Sequence, residues 1–202
     1  MNAILEYLRR TYQPLALIVY GYYADGPNNP GSDFDALVIT ADHAIFHDVS
    51  FVDGVQLDVF VYPAAHFDGD FDCDSFAQIS DGHILMDTRE LAARLQARVL
   101  RHLDSLPGKT PAEIRADVEW CRKMFLRTRR CDAEGFFRWH WLLTDSLEIF
   151  CNASGHAYRG PKKALRWMER ERPEAFHLYA KALAELSEDS LERWIAHLEQ
   201  LC

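Results

Sequence analysis

The sequence predicts an α+β protein: an α/β unit built on a small mixed sheet, followed by an all-α helical bundle. Three observations lead there. Short runs of β-branched and aromatic residues, separated by Gly, Pro, Asn and Asp, fill the first part of the chain. Apolar stripes at helical spacing, preceded by capping residues, fill the second. Between two of the strand-like runs stands Asp53-Gly54, the strongest short-range signal for a hairpin. The change of texture places a boundary near 85–90 and divides the chain into regions 1–87 and 88–202.

The elements follow in order. Residues 2–11 alternate apolar and polar side chains at helical spacing. Residues 15–20 (LALIVY) form a continuous apolar run of strand length, and residues 34–40 (FDALVIT) form another. Residues 46–52 and 55–62 are the arms of the hairpin, and Pro63 closes the second arm because it has no N–H to continue a ladder. A short helix is expected near 73–80. Beyond 87, Asp87-x-x-Glu90 reads as an N-cap ahead of Leu91, Leu95, Val99 and Leu103. Thr110-Pro111-Ala112-Glu113 is a clearer helix start, with Thr as cap, Pro at the first position and Glu three residues on. Residues 133–152 carry the stripe Phe136, Trp139, Leu143, Leu147, Phe150. Gly155 and Gly160-Pro161 interrupt the chain before the last, shorter helices.

Composition narrows the function classes. With 202 residues, 49% apolar and 26% charged, the chain is neither disordered nor fibrous. Its net charge of −9 disfavours a broad nucleic-acid-binding face. That charge is concentrated: residues 1–87 hold two basic and fourteen acidic side chains, a surplus suited to metal cations or a cationic substrate. Five cysteines without a C-x-x-C pair argue against a zinc site or a disulfide framework, and the chain is expected to be cytoplasmic. No apolar run reaches the roughly 18 residues of a membrane helix, and the start lacks the pattern of a signal peptide.

One segment stands out for chemistry. A buried strand ends at Gly21, a loop rich in Gly, Pro and Asn follows, and the next strand opens with Asp33-Phe34-Asp35. Residues i and i+2 of a strand point to one face about 7 Å apart, so Asp33 and Asp35 are expected to converge. Paired carboxylates repel unless a cation shares them, and hard oxygen donors favour Mg²⁺ or Mn²⁺. Asp58 interrupts the apolar run Leu57, Val59, Phe60, where an acid without a purpose is costly. If that arm pairs beside Asp35, about 4.8 Å separates the strands and three carboxylates can cage one or two metals.

This arrangement resembles the polymerase-β-like nucleotidyltransferase superfamily: a strand, a Gly-led loop of about ten residues, Asp-x-Asp on a strand, and a third acid on a neighbouring strand. Within it the chain is most similar to the small aminoglycoside (kanamycin-type) nucleotidyltransferases with a helical C-terminal domain. The resemblance covers about residues 14–62 and, more loosely, the layout of the helical half. It implies a catalytic domain at 1–87 and metal-assisted transfer of a nucleoside monophosphate from a nucleoside triphosphate, the co-substrate, to a hydroxyl of a small acceptor. Asp33 and Asp35 match its metal-binding pair. Asp58 matches the third acid, which binds metal and acts as general base in the antibiotic-modifying branch. Gly21, Tyr22 and Ser32 fall in the loop that holds the triphosphate. The family's residue after the first Gly is usually Ser; here it is Tyr22, and Asp25 adds negative charge to the same loop.

The helical half offers further candidates. Phe137, Trp141, Asp145 and Glu148 form a second stripe that turns from aromatic to acidic. Trp141, Asp145 and Glu148 are the acceptor-binding candidates; packing and solvated acids are the alternative. Lys162 and Lys163 follow Gly160-Pro161 at a helix start, which suits an anion; in the resemblance one or the other corresponds to a lysine that reaches the nucleotide phosphates, and a solvated lysine pair is the alternative. Asp68, Asp70, Asp72 and Asp74 alternate like a calcium loop but lack its turn glycine and bidentate acid. Arg172 and His177 match the R-x4-H spacing of certain RNase toxins, which Pro173 spoils. Two functions compete: a Mg²⁺- or Mn²⁺-dependent nucleotidyltransferase, and a catalytically degenerate relative that binds nucleotide as a sensor or serves as an antitoxin-like partner. A homodimer is an open alternative to a monomer.

Overall fold

The computed structural model describes residues 1–21, 23 and 31–202. The chain forms two compact units, Met1–Leu106 and Pro107–Cys202.

In the first unit, six strands form one mixed sheet among the described residues: β1 (Ala16–Val19), β2 (Phe34–Thr40), β3 (Phe46–Asp48), β4 (Phe51–Val52), β5 (Val55–Pro63) and β6 (His83–Asp87). Their order is β3-β5-β2-β1-β6, with β4 paired to β5. Only the central β2–β5 pair is parallel; β1–β2, β1–β6, β3–β5 and β4–β5 are antiparallel. The hairpin turn is as expected: Asp53 (φ 54°) and Gly54 (φ 78°) both take positive φ, the requirement of a type I′ turn whose twist matches the flanking strands.

Period-2 alternation sorts the strand residues onto two cores. Phe34, Ala36 and Val38 of β2 and Leu57, Val59 and Val61 of β5 pack with Ile4, Leu8 and Tyr12 of helix α1 (Asn2–Tyr12). On the other face, Leu37 and Ile39 pack with Phe76 and Ile79 of a 3₁₀ segment (Asp74–Asp81) and with Ala92, Leu95 and Val99 of helix α2 (Leu91–Ser105). A buried acid pins the first face to the hairpin. Asp48, 1% exposed, accepts hydrogen bonds from Tyr12 Oη (2.8 Å), Tyr7 Oη (3.1 Å) and the Ser50 backbone N–H (2.9 Å).

Several local expectations change. The expected hairpin arm 46–52 is two strands: between them the Ser50 amide turns to the Asp48 carboxylate (2.9 Å), while the Ser50 carbonyl still accepts from the Leu57 amide (2.8 Å). A sixth strand, β6, extends the sheet edge where none was predicted. Helix α2 belongs with the sheet rather than with the helices after it, since its apolar stripe completes the second core. Its start also differs in detail. Arg89 and Glu90 both adopt left-handed backbone (φ 60° and 57°), and the Asp87 carboxylate reaches past them to cap the amides of Ala92 (2.9 Å) and Ala93 (3.0 Å).

The second unit is helical throughout: α3 (Pro111–Thr128), α4 (Ala133–Ala153), α5 (Pro161–Glu171), α6 (Pro173–Glu185) and α7 (Glu188–Glu199). Thr110 and Glu113 form the expected capping box on α3, and Asp132 Oδ1 caps α4 through the Gly135 amide (2.8 Å). The core gathers around Trp194, fully buried, whose indole N–H donates to Ser146 Oγ (2.9 Å). Leu143, Leu147 and Phe150 of the predicted stripe are buried and Trp139 is partly so, but Phe136 is 59% exposed. The stripe meets partners only after the first turn of α4. Among the described residues no helix is long and apolar enough to cross a membrane.

Candidate functional site

The parallel register of β2 and β5 sets Asp35 directly opposite Asp58. In-register neighbours of a parallel pair project to the same face, across strands about 4.8 Å apart. That face is the one shared by Leu37, Ile39 and Phe60, and the two acids stand at its N-terminal end, half-buried.

The chain leaving β1 builds the wall beside them. The Tyr20 amide donates to the Asp35 carbonyl (3.1 Å), carrying the β1–β2 ladder one residue further. Gly21 then turns with φ +68°, and a Cβ there would lie 2.3 Å from Asp35 Oδ2. Only a glycine allows both that backbone conformation and so close a carboxylate. The Tyr20 phenol is buried on the same face. Burial raises its pKa most, a hydrogen bond with Gln78 partly offsets this, and the charges of Asp58 and Asp35 raise it further. It therefore stays a neutral O–H under the two carboxylates.

His47, on β3, completes the group. Its ring lies parallel to Phe60 with centroids 4.2 Å apart, and its Nε2 is 2.5 Å from Asp58 Oδ1. Asp58 thus has one oxygen engaged by an imidazole. Neither His47 nor Tyr20 is among the residues that the sequence singles out. The signal for His47 was present: counting outward from Asp53-Gly54 pairs 52 with 55, 51 with 56 and 47 with 60, which leaves His47 diagonal to Asp58 on the same face.

The other predicted residues fall as follows. Asp33, exposed, and Ser32, partly buried, lie just before β2 rather than on it. Tyr22 and Asp25 lie outside the described residues. In the second unit, Lys162 and Lys163 occupy the first turn of α5 after Gly160 (φ 91°). Trp141, 43% exposed, meets Trp120 edge-to-face at 5.6 Å. Asp145 and Glu148 continue that side of α4, half-buried and exposed respectively. The alternating acids at 68–74 serve local structure: Asp72 accepts from the Asp74 amide (3.0 Å) and Ser75 Oγ (2.6 Å), and Asp74 pairs with His102 (2.9 Å).

Among the described residues no group of three or more His, Cys, Asp or Glu side chains is gathered to hold a metal ion. What the sheet does provide is two in-register carboxylates, Asp35 and Asp58. That donor set fits Mg²⁺, which commonly takes one or two protein carboxylates and completes its shell with water and substrate phosphates. It does not suit a softer metal that needs thiolate or several imidazoles.

No family model matches the chain, and no curated protein matches it. Among solved structures, a nucleotidyltransferase-like protein from Exiguobacterium sibiricum is similar at 12% identity and a TM-score of 0.39; the match covers 99% of this chain and 72% of that one.

Proposed function

We propose that the protein transfers a nucleoside monophosphate group from a nucleoside triphosphate, ATP first among them, to a hydroxyl of a small cationic acceptor such as an aminoglycoside, releasing pyrophosphate. The observation that carries this reading is the in-register pair Asp35 and Asp58 beside the Gly21 turn. Asp35 and Asp58, with Asp33 at the mouth, would hold Mg²⁺ or Mn²⁺. When bound, that ion supplies charge neutralisation for the triphosphate.

The residues of the chain do the rest. The acceptor hydroxyl oxygen forms a bond to the α-phosphorus as the bond to pyrophosphate breaks, and Asp58 Oδ2 takes the hydroxyl proton. His47 holds the opposite oxygen, Oδ1, and so fixes the orientation of the Asp58 carboxylate. Tyr20, neutral beneath the pair, keeps an O–H rather than a third negative charge at the site. The surplus of acids in residues 1–87 attracts a cationic acceptor. We assign the loop through Tyr22 and Ser32 to the triphosphate; in the second unit, Lys162 and Lys163 are candidates for anion binding and Trp141, Asp145 and Glu148 for acceptor binding.

The test measures pyrophosphate release from each of the four nucleoside triphosphates with Mg²⁺ and a panel of aminoglycosides, beside calorimetric binding of each nucleotide. We expect turnover in the wild type and a loss of about 10²–10⁴-fold in Asp58→Asn, the range for removing a general base. Metal-dependent nucleotide binding without pyrophosphate release would instead favour the degenerate, nucleotide-sensing reading. Absence of binding to the folded wild type would defeat both and direct attention to a protein partner.

A further inference from the structure

We propose that the first unit carries a second binding site, separate from the Asp35–Asp58 pair, for a phosphate monoester with an aromatic body. It lies at the far end of the same sheet face. Ile39, which lines it, is four residues beyond Asp35 on β2, about 13 Å along the strand. The pocket encloses about 510 Å³, within the usual range of roughly 300–1,000 Å³ for small-molecule sites.

Its chemistry is divided in two. The floor is apolar and already closed: Ile39 and Leu95 are buried, and the rings of Phe67 and Phe71 meet edge-to-face at 5.3 Å to form one wall. The opposite wall is the α2 face that presents Arg94, Arg98 and Arg101, spaced i, i+4, i+7 over about 10 Å of helix. The three arginines are not equivalent. Arg98 is committed to structure: its guanidinium lies 4.4 Å over Phe71, donates to the Gly69 carbonyl (2.8 Å) and pairs with Asp70 (3.4 Å). It thereby holds the aromatic wall in place. Arg94 and Arg101, on either side of it, make no ion pair and no side-chain hydrogen bond among the described residues. Asp68 on the rim and Asp70 on Arg98 offset two of the three charges, leaving one positive charge in surplus.

Two uncommitted guanidinium forks at the edge of an aromatic, water-excluding floor are complementary to a ring bearing a tetrahedral oxyanion. The forks take the phosphate oxygens in bidentate hydrogen bonds, and the ring replaces water against Phe67, Phe71 and Leu95. The site needs no metal, because its cations are side chains.

The experiment is isothermal titration in the presence of a chelator with 2-naphthyl phosphate, using inorganic phosphate and 2-naphthol as controls. We expect 2-naphthyl phosphate to bind at least about tenfold more tightly than either control. Arg94→Ala and Arg101→Ala should each weaken it about tenfold, the order of one charge-assisted hydrogen bond, with unchanged thermal unfolding. Asp35→Asn should leave it unaltered, which separates this site from the nucleotidyl-transfer reading: either can fail while the other stands. Equal affinity in the wild type and the Arg94→Ala/Arg101→Ala double variant would overturn the proposal. So would the absence of binding by 2-naphthyl phosphate to the folded wild type.

Discussion

Asp35 on β2 faces Asp58 on β5 across a parallel register, and it is the only parallel strand pair in the described sheet that puts them there. An antiparallel pairing of the same two strands would set one acid at each end of the ladder. The geometry concentrates two like charges at one end of the two central strands, next to a turn that only glycine can make.

That juxtaposition predicts a stabilising cation. Mg²⁺ at about 100 times its dissociation constant should raise the wild-type unfolding free energy by about 2.7 kcal/mol through preferential binding to the native state. Asp35→Asn should abolish the gain. Thermal unfolding with Mg²⁺ and with a chelator checks this, and equal shifts in the two proteins would place the cation elsewhere.

Gly21→Ala should be destabilising by about 1–3 kcal/mol, since its Cβ would fall 2.3 Å from Asp35 Oδ2 in a left-handed backbone. Denaturant titration measures the cost. The same variant should lose the Mg²⁺ effect, because Asp35 must move to admit the methyl group.

His47→Ala should change stability by less than about 1 kcal/mol, as expected for an exposed pair. Its effect should instead appear in metal binding. Freeing Asp58 Oδ1 removes a competing donor, so Mg²⁺ should bind more tightly than to the wild type. Weaker binding would show that His47 orients Asp58 for the metal rather than competing with it.

The buried acid Asp48 gives a pH dependence. Burial raises its pKa, but hydrogen bonds from Ser50, Tyr12 and Tyr7 outweigh this and hold it below the ordinary 3.8. A carboxyl whose folded pKa is depressed contributes stability that is full above its unfolded value and is lost as pH falls through the folded one. Urea unfolding should therefore show a loss of stability as pH falls below about 3.8. In Asp48→Asn that loss should be shallower, at the expense of about 3 kcal/mol at pH 7, because one amide oxygen cannot accept from both the Ser50 N–H and the two phenols as the two carboxylate oxygens do.

In the helical unit, Ser146→Ala should cost about 1–3 kcal/mol, because it leaves the buried Trp194 indole N–H without a partner. Ser146→Thr, which keeps the hydroxyl, should recover part of the loss in the same denaturant titration.

Much of this architecture was legible in the chain. Asp53-Gly54 specified a type I′ turn, and counting outward from it sets every observed pair of the hairpin, including His47 with Phe60. Asp58 stood out as an acid in an apolar strand, and Thr110 to Glu113 announced a capped helix that is present. Other features were not legible, for identifiable reasons. β6 is five residues at the sheet edge (HILMD), and its strand character comes from pairing with β1 rather than from its own pattern. Phe136 continues the spacing of a buried stripe yet is exposed, because periodicity assigns a side of a helix and not the point where its partners end.

The order of apolar and polar residues, read alone, determined the α+β class, the two textures and the acids that interrupt apolar strands, since these depend on local period and turn chemistry. Whether β5 would lie parallel beside β2, whether α2 would join the sheet and which arginines would be left without carboxylates depended on contacts between residues far apart in the chain. Such contacts are selected by how whole surfaces pack, and no window of sequence contains both partners.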